Sequence, residues 1–363
     1  VYKKLVYWEI ELEQSKDPGM YDILSMQKSE ANHLFSKFVE NNYLGWLKDP
    51  EKAPLTSPYL IRRKAIPLAD SSDDPVFFIL IDNLRFDQWK VIQPAVSELF
   101  KIVEEDTYCS ILPTATQYAR NAIFSGMMPS EIQKRFPDKW VGDEEDEGKN
   151  NYEEFFLNDQ LQRLRKNYKT SYTKVTNLDA GKALAEQVSN LFQNKFNVIV
   201  YNFVDMLSHA RTDMQVIKEL AEDEKAYRSI TRSWFEHSPL LETLRRIAER
   251  PCKVIITTDH GTIRVKDPSK IVGDRNTNTN LRYKQGKNLN YEKKDVLEIR
   301  NPADAFLPRV NVSTTYVFTK GDKFFAYPNN FNYYVNFYRN TFQHGGISPQ
   351  EMIIPVITLQ SKV

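Results

Sequence analysis

The sequence predicts an α/β fold: a three-layer α/β/α sandwich with a small helical domain at its N-terminus. Three observations carry this. The run VFFILI (76–81) is continuously apolar, as expected for a strand buried on both faces. Comparable runs recur at FNVIVYNF (196–203) and KVIITT (253–258), each preceded by a helical stretch. The opening 65 or so residues instead space their apolar positions at helical intervals.

A chain of 363 residues holds one large α/β domain and a smaller companion. Its 41% hydrophobic and 27% charged residues are those of a soluble globular protein. A net charge of +1 excludes a global pull toward nucleic acid or membrane, so any steering is local. Cys109 and Cys252 are too few for a disulfide framework and read as reduced core residues of a cytoplasmic protein. No apolar stretch approaches the ~18 residues of a membrane span, and no signal peptide is visible, so no membrane insertion is expected.

In chain order, YKKLVYWEIELEQS spaces Leu5, Trp8 and Leu12 as a helix does, and DPGM (17–20) breaks it. A second helix of about seven turns follows, with Ile23, Met26, Leu34, Phe38 and Leu47 among its apolar positions. Such helices cannot bury a large core alone. They are expected to pack on each other, on a preceding domain or on a second copy, which makes a homodimer an expectation. The polar, Pro-ended LADSSDDP (68–75) marks the boundary between a helical domain (1–70) and the α/β domain (71–363).

Beyond VFFILI, residues 88–100 read as helix, KIVEEDTYCSIL (101–112) as strand, and 119–124 as the start of another helix. SYTKVT (171–176) and 196–203 are strands around a helical segment carrying Leu184, Val188 and Leu191. SPLLETLRRIAE is the helix before 253–258, and STTYVFT (313–319) and IIPVITL (353–359) complete the strands. The alternation argues for a mostly parallel sheet covered on both faces. Two stretches fall outside it. The acidic GDEEDEGKNNYEE (142–154) reads as a solvated loop. Residues 262–312 read as a basic cap insert: between Arg264 and Arg300, ten Lys/Arg stand against five Asp/Glu, interleaved with Asn, Tyr283 and Tyr291.

Ligands of open parallel sheets bind beyond the carboxyl ends of the strands. Asp82 follows the first strand, Asp205 the strand 196–203 with His209 four residues on, and Asp259-His260 the strand 253–258; His344 and two glycines precede the last strand. Singly, each has an ordinary explanation as turn former, helix cap or buried histidine. Together they place hard-to-borderline O and N donors on one sheet edge, as Zn2+ or Mn2+ requires. Pro113 ends a strand, and Thr116 opens a helical stretch. There it is either an N-cap or a hydroxyl held where helix N–H groups favour a phosphate oxygen.

The order Asp82, PTATQYARNAIFSGMMPSE (113–131), Asp205-x-x-x-His209, Asp259-His260-Gly261 and His344-Gly345-Gly346 resembles the alkaline phosphatase superfamily. Within it, the chain is similar to the PglZ domain over about residues 70–363. With its helices it resembles response regulators of the PorX type, linked to type IX secretion. Those also carry a receiver domain, so a chain starting at Val1 reads as a fragment lacking it. The resemblance implies a sandwich of alkaline-phosphatase type holding two divalent ions, foremost Zn2+ with Mn2+ as the other candidate. One would be bound by Asp205, His209 and His344, the other by Asp82, Asp259, His260 and the Thr116 oxygen. Thr116, the second Thr of Thr-x-Thr, takes the nucleophile's place, with Thr114 as the fallback; the Cys/Ser-x-Pro-x-Arg of sulfatases is absent. Two divalent ions, three carboxylates and an alkoxide sum to neutrality, which suits a singly charged phosphodiester of nucleotide or oligonucleotide type. Asn83, Arg85 and Arg120 are candidate substrate contacts, and the insert a lid pairing phosphates and stacking bases. The implied partners are a sensor histidine kinase, a sigma factor and type IX secretion motor proteins. Two other readings stay open: a non-catalytic, metal-stabilised signalling module, and a phosphomonoesterase of the same superfamily.

Overall fold

The computed structural model describes residues 1–13, 18–143, 148–202, 223–273 and 278–363. Its central sheet contains β1 (Val76–Ile81), β2 (Phe100–Cys109), β3 (Thr170–Val175), β4 (Phe196–Tyr201), β5 (Lys253–Thr257) and a C-terminal strand (Ile353–Ser361). The order is β2, C-terminal strand, β5, β1, β4, β3. β1 pairs in parallel with β4 and β5, and β3 with β4, whereas the C-terminal strand runs antiparallel to both β5 and β2. Five strands therefore point one way, and the sixth is inserted against them. The apolar run 353–359 signals burial, which is the same in either direction, so its sequence could not announce the reversal.

Alternation along β1 splits the core. Phe78 and Leu80 join Val198, Val200 and Ile255 on one face, beneath helix α5 (Thr116–Ser125) and helix Glu153–Arg163. Phe77, Ile79 and Ile81 join Ile199, Val254 and Ile256 on the other, beneath α4 (Phe86–Leu99) and helix Pro239–Ala248. Both faces are covered, as a central parallel strand requires. Cys109 and Cys252 are buried and free, and burial pushes both thiols up to about 12.

The N-terminal segment divides. α1 (Tyr2–Leu12) buries Val6 and Leu12. α2 (Pro18–Lys48) buries Leu24, Val39 and Tyr43 but leaves Ile23, Met26, Leu34 and Phe38 largely exposed, the last with its ring 5.4 Å from that of Trp46 in the same helix. Clefts of about 320 and 370 Å³, lined by charges of both signs, separate α2 from residues 263–266 and 320–323. Residues 57–70, expected to belong with the helices and ending in α3 (Ile66–Asp70), contribute Leu60, Ile61, Ala65 and Ile66 to the core shared with Phe78. No helix among the described residues is long and apolar enough to cross a membrane.

The strand expected at 313–319 (observed at Thr315–Thr319) lies outside the central sheet. It pairs antiparallel with Tyr283–Gly286 and Val296–Ile299 in a small sheet of the cap. A second small sheet joins Asp267–Val272, Lys323–Ala326 and Asn290–Tyr291, so the cap's strands continue well past residue 312. Two of the insert's basic residues are built in. Arg282 is fully buried, 2.6 Å from Glu351, and Lys284 is buried with Nζ donating to Asn278 O at 2.7 Å. Tyr283 is 4% exposed and donates its hydroxyl to Asp143, so its ring offers no stacking platform.

Burial pushes the Lys284 ammonium down to about 7, with Asp143 opposing. An unfolded lysine keeps its proton to about 10.4. Between these values the unfolded chain binds the extra proton, so stability rises with pH, by up to about 1.4 kcal/mol per unit from this group. Urea unfolding at pH 6, 8 and 9.5 should show this rise in the wild type. Lys284→Met should flatten it.

Candidate functional site

The parallel register decides what meets at the sheet's carboxyl edge. Ile81 pairs with Tyr201 and Leu80 with Thr257, so the chain leaves β1, β4 and β5 side by side. Asp82 follows at once, 1% exposed, its N–H donating to Tyr201 O at 2.9 Å. Asn83 then turns the chain at φ 60, a left-handed conformation that Asn tolerates better than most residues. The turn lets Asn83 N–H donate to Asp259 Oδ1 (3.3 Å) and Leu84 N–H to Thr258 Oγ1 (2.9 Å). The loops after β1 and β5 are thereby laced together. Gly261 is required next: a Cβ there would lie 2.1 Å from Gln350 O.

Asp259 and His260 are fully buried, and ligand atoms of Asp82, Asp259 and His260 lie within 4.8 Å of one another. His260 Nδ1 is 3.1 Å from Gly261 O. A carbonyl only accepts, so Nδ1 carries the proton, and in that tautomer Nε2 presents a lone pair. Nε2 stands 3.0 Å from Thr116 Oγ1. His344 follows the same logic, with Nδ1 3.0 Å from Thr114 O. The two imidazoles stack with centroids 4.3 Å apart and planes 21° from parallel. Two buried carboxylates and imidazole Nε2 lone pairs fixed by carbonyl contacts form a donor set that fits a borderline divalent cation.

Thr116 is the first residue of α5, at the end where helix N–H groups lack intrahelical acceptors. Its backbone carbonyl accepts from Asn150 Nδ2 at 3.3 Å. Four residues on, Arg120 is fully buried, 2.5 Å from Asp82 Oδ2, 3.0 Å from Asp259 Oδ2 and 3.5 Å from Glu153 Oε1. Burial works against charge on Asp259, yet Arg120 and neighbouring N–H groups hold its carboxyl below the usual carboxylate range. Arg120 is thus the counter-ion of the acidic cluster.

Arg85 is likewise internal. Its guanidinium is bound by Asp87 (Nε–Oδ1, 2.8 Å) and Glu224 (2.5 Å) and lies 5.4 and 5.1 Å from the ring centroids of Tyr227 and Phe342. Arg228 extends the network from Asp87 to Glu9 and Glu13, tying α1 to α4. Arg85 therefore holds the fold together. Asp205 and His209 lie outside the described residues.

The acidic stretch 142–154 differs from its solvated reading at both described ends. Asp143 accepts from Tyr118 and Tyr283, each at 3.0 Å. Glu153 is 1% exposed and reaches Lys174 at 3.3 Å as well as Arg120. Glu153 was not anticipated, although a signal exists. Glu153, Phe156, Leu157, Gln160 and Leu161 recur at helical spacing, and all are buried.

A family model for the BREX system PglZ alkaline phosphatase-like domain matches residues 60–359, and one for the PorX response regulator linker domain matches residues 1–47. None of the curated proteins matches the chain in sequence. Among solved structures, murine ectonucleotide pyrophosphatase/phosphodiesterase 5 is similar at TM-score 0.53 and 10% identity, over 78% of this chain and 87% of its own. The human counterpart gives TM-score 0.50 at 10% identity, with the same 78% and 87%. An inactive variant of the murine protein in complex with AMP gives 0.53 at 10% identity, again over 78% and 87%. At that identity the likeness is one of fold. The family match is different in kind, because it spans most of the sequence and contains Asp82, Thr116, Asp259, His260 and His344: the chain belongs to the PglZ alkaline phosphatase-like domain family.

Proposed function

We propose that the chain is a metal-dependent phosphodiesterase with Thr116 as its nucleophile. The observation that carries this is the 3.0 Å approach of Thr116 Oγ1 to His260 Nε2, beside Asp82 and Asp259 and at the N-terminus of α5. Asp82, Asp259, His260 and the Thr116 oxygen would hold one ion; His344, with Asp205 and His209, would hold the second. Bound divalent ions, foremost zinc, would supply the charge that acidifies a hydroxyl and stabilises a leaving oxygen. The first-turn N–H groups of α5 would hold phosphoryl oxygens. Thr116 Oγ1 then forms a bond to phosphorus as the bond to the leaving alcohol oxygen breaks. Water cleaves the resulting phospho-threonine and restores the hydroxyl.

Charge favours a diester. Two divalent ions would balance three carboxylates and the Thr116 alkoxide, and Glu153 partly offsets the buried Arg120, 3.5 Å away, since it also pairs with the more exposed Lys174 at 3.3 Å. A near-neutral centre suits a monoanionic diester better than a dianionic monoester. Because one fold neighbour was solved with AMP, a nucleotide-type diester is the first natural substrate class to try. The match of residues 1–47 to a response regulator linker supports a role as the output domain of a two-component regulator of type IX secretion. A histidine kinase, a sigma factor and secretion motor proteins are the partners this role would bring, and exposed Met26, Leu34 and Phe38 are compatible with a dimer.

An aryl bis-ester phosphate should turn over faster than the matching monoester. Equal or reversed rates would favour the monoesterase reading. Thr116→Ala should lower turnover by about three orders of magnitude or more, with Thr116→Ser retaining part of it. Survival of full activity in the alanine variant would remove Thr116 from the chemistry. Chelation should abolish turnover and zinc should restore it, with two ions per chain located by anomalous scattering at the zinc edge. A chain that performs its signalling role without metal or Thr116 would be a scaffold.

A further inference from the structure

Thr114 lies two residues before the proposed nucleophile and does different work. It is fully buried. Its hydroxyl donates to Gly346 O at 2.9 Å and accepts from Gly345 N–H at 3.0 Å, while its carbonyl accepts from His344 Nδ1 at 3.0 Å. One residue therefore engages three consecutive residues of the His344-Gly345-Gly346 loop.

The two glycines of that loop are closely packed. Gly345 sits at φ +120, and a Cβ there would meet Tyr283 at 2.6 Å and Asn280 at 2.8 Å. A Cβ on Gly346 would meet Thr319 O at 2.7 Å and the Arg282 guanidinium at 2.9 Å. The close packing excludes side chains, so the loop must be anchored through its backbone. Gly346 N–H donates to Glu351 Oε1 at 3.0 Å, and the anchors on its other side come from Thr114.

We propose that Thr114 is the positioning residue for His344, locking the loop so that Nε2 of His344 is presented to a divalent cation. The inference rests on the reading of His344 as a metal ligand. Since the Thr114 hydroxyl already donates and accepts within the loop, it has no proton to direct at a substrate.

The test compares Thr114→Val, which keeps the shape and the carbonyl but removes both hydroxyl bonds, with Thr114→Ser, which keeps both. Zinc titration by calorimetry, and the visible spectrum of the cobalt-substituted protein, read the metal sites independently of turnover. Thr114→Val should weaken one of the two sites about 10–100-fold, the range for loss of a group that orients a ligand. Thr114→Ser should restore it. In a His344→Ala background, Thr114→Val should have no further effect on zinc affinity, because the residue through which it acts is gone. Unchanged zinc affinity in Thr114→Val, beside a wild type that binds two ions, would overturn this inference alone. A wild type that binds no ion would overturn the metal reading itself. Should Thr114→Val fail to fold, Thr114→Ala takes its place. If neither folds, Thr114 belongs to the core and the positioning role is overturned.

Discussion

Everything at the carboxyl edge of this sheet depends on the buried guanidinium of Arg120. Asp82, Asp259 and Glu153 are each at most 1% exposed, and burying an unpaired carboxylate costs several kcal/mol. The three acids arrive from β1, from the loop after β5 and from helix Glu153–Arg163, and Arg120 touches all three. That requirement fixes α5 in place and in rotation. Residues four apart share a helix face, so the rotation that aims Arg120 at the acids also aims Thr116 at the same site. Its 3.0 Å contact with His260 follows from the demand for charge balance one turn away.

Glu351 plays the corresponding part for the loops. Its carboxylate accepts from Gly346 N–H and from Arg282, its backbone carbonyl accepts from Gly261 N–H, and it is fully buried. A single residue thereby joins the His260 loop, the His344 loop and the cap. The network of Arg85, Asp87, Glu224 and Arg228 does the same between α1 and α4. In this protein buried ion pairs act as joints between elements, alongside apolar contacts such as those of Tyr2 and Tyr7 of α1 with Phe86 of α4. Breaking one would leave its partner charged and buried, which costs more than the intact pair contributes.

This division explains what could be read in the sequence. Strands that end in Asp or Asp-His advertise a site because a parallel sheet gathers such ends on one edge, and Asp82, Asp259, His260 and His344 do meet there. Long-range pairing is not written locally. A basic residue that neutralises a buried acid looks the same in sequence as one that awaits a phosphate. Arg85, Arg120 and Arg282 are all of the first kind, being internal ion-pair partners. Glu153 hid in an acidic run for the same reason. The apolar spacing of α2 identified a helix correctly but not its packed face, since Met26 and Leu34 are exposed while Val39 and Tyr43 are buried. Periodicity reports that a face exists; what covers it is decided elsewhere in the chain.

Thr114 and Thr116 show how far identical side chains can diverge across a single intervening residue. Ala115 is extended (φ −140, ψ 143) and Thr116 is already helical, so the chain changes direction between the two hydroxyls. Thr114 turns to the His344 loop, where its hydroxyl is consumed by the backbone. Thr116 turns to His260, where its hydroxyl meets a ring nitrogen whose lone pair is fixed by the Gly261 carbonyl. Because the two imidazoles stack at 4.3 Å, the Thr-Ala-Thr segment engages both at once, one through a carbonyl and the other through an alcohol. A shift of this segment would disturb both histidines together. The strand-to-helix transition at Ala115 is therefore the local feature that couples the orientation of His344 to the presentation of the Thr116 alcohol.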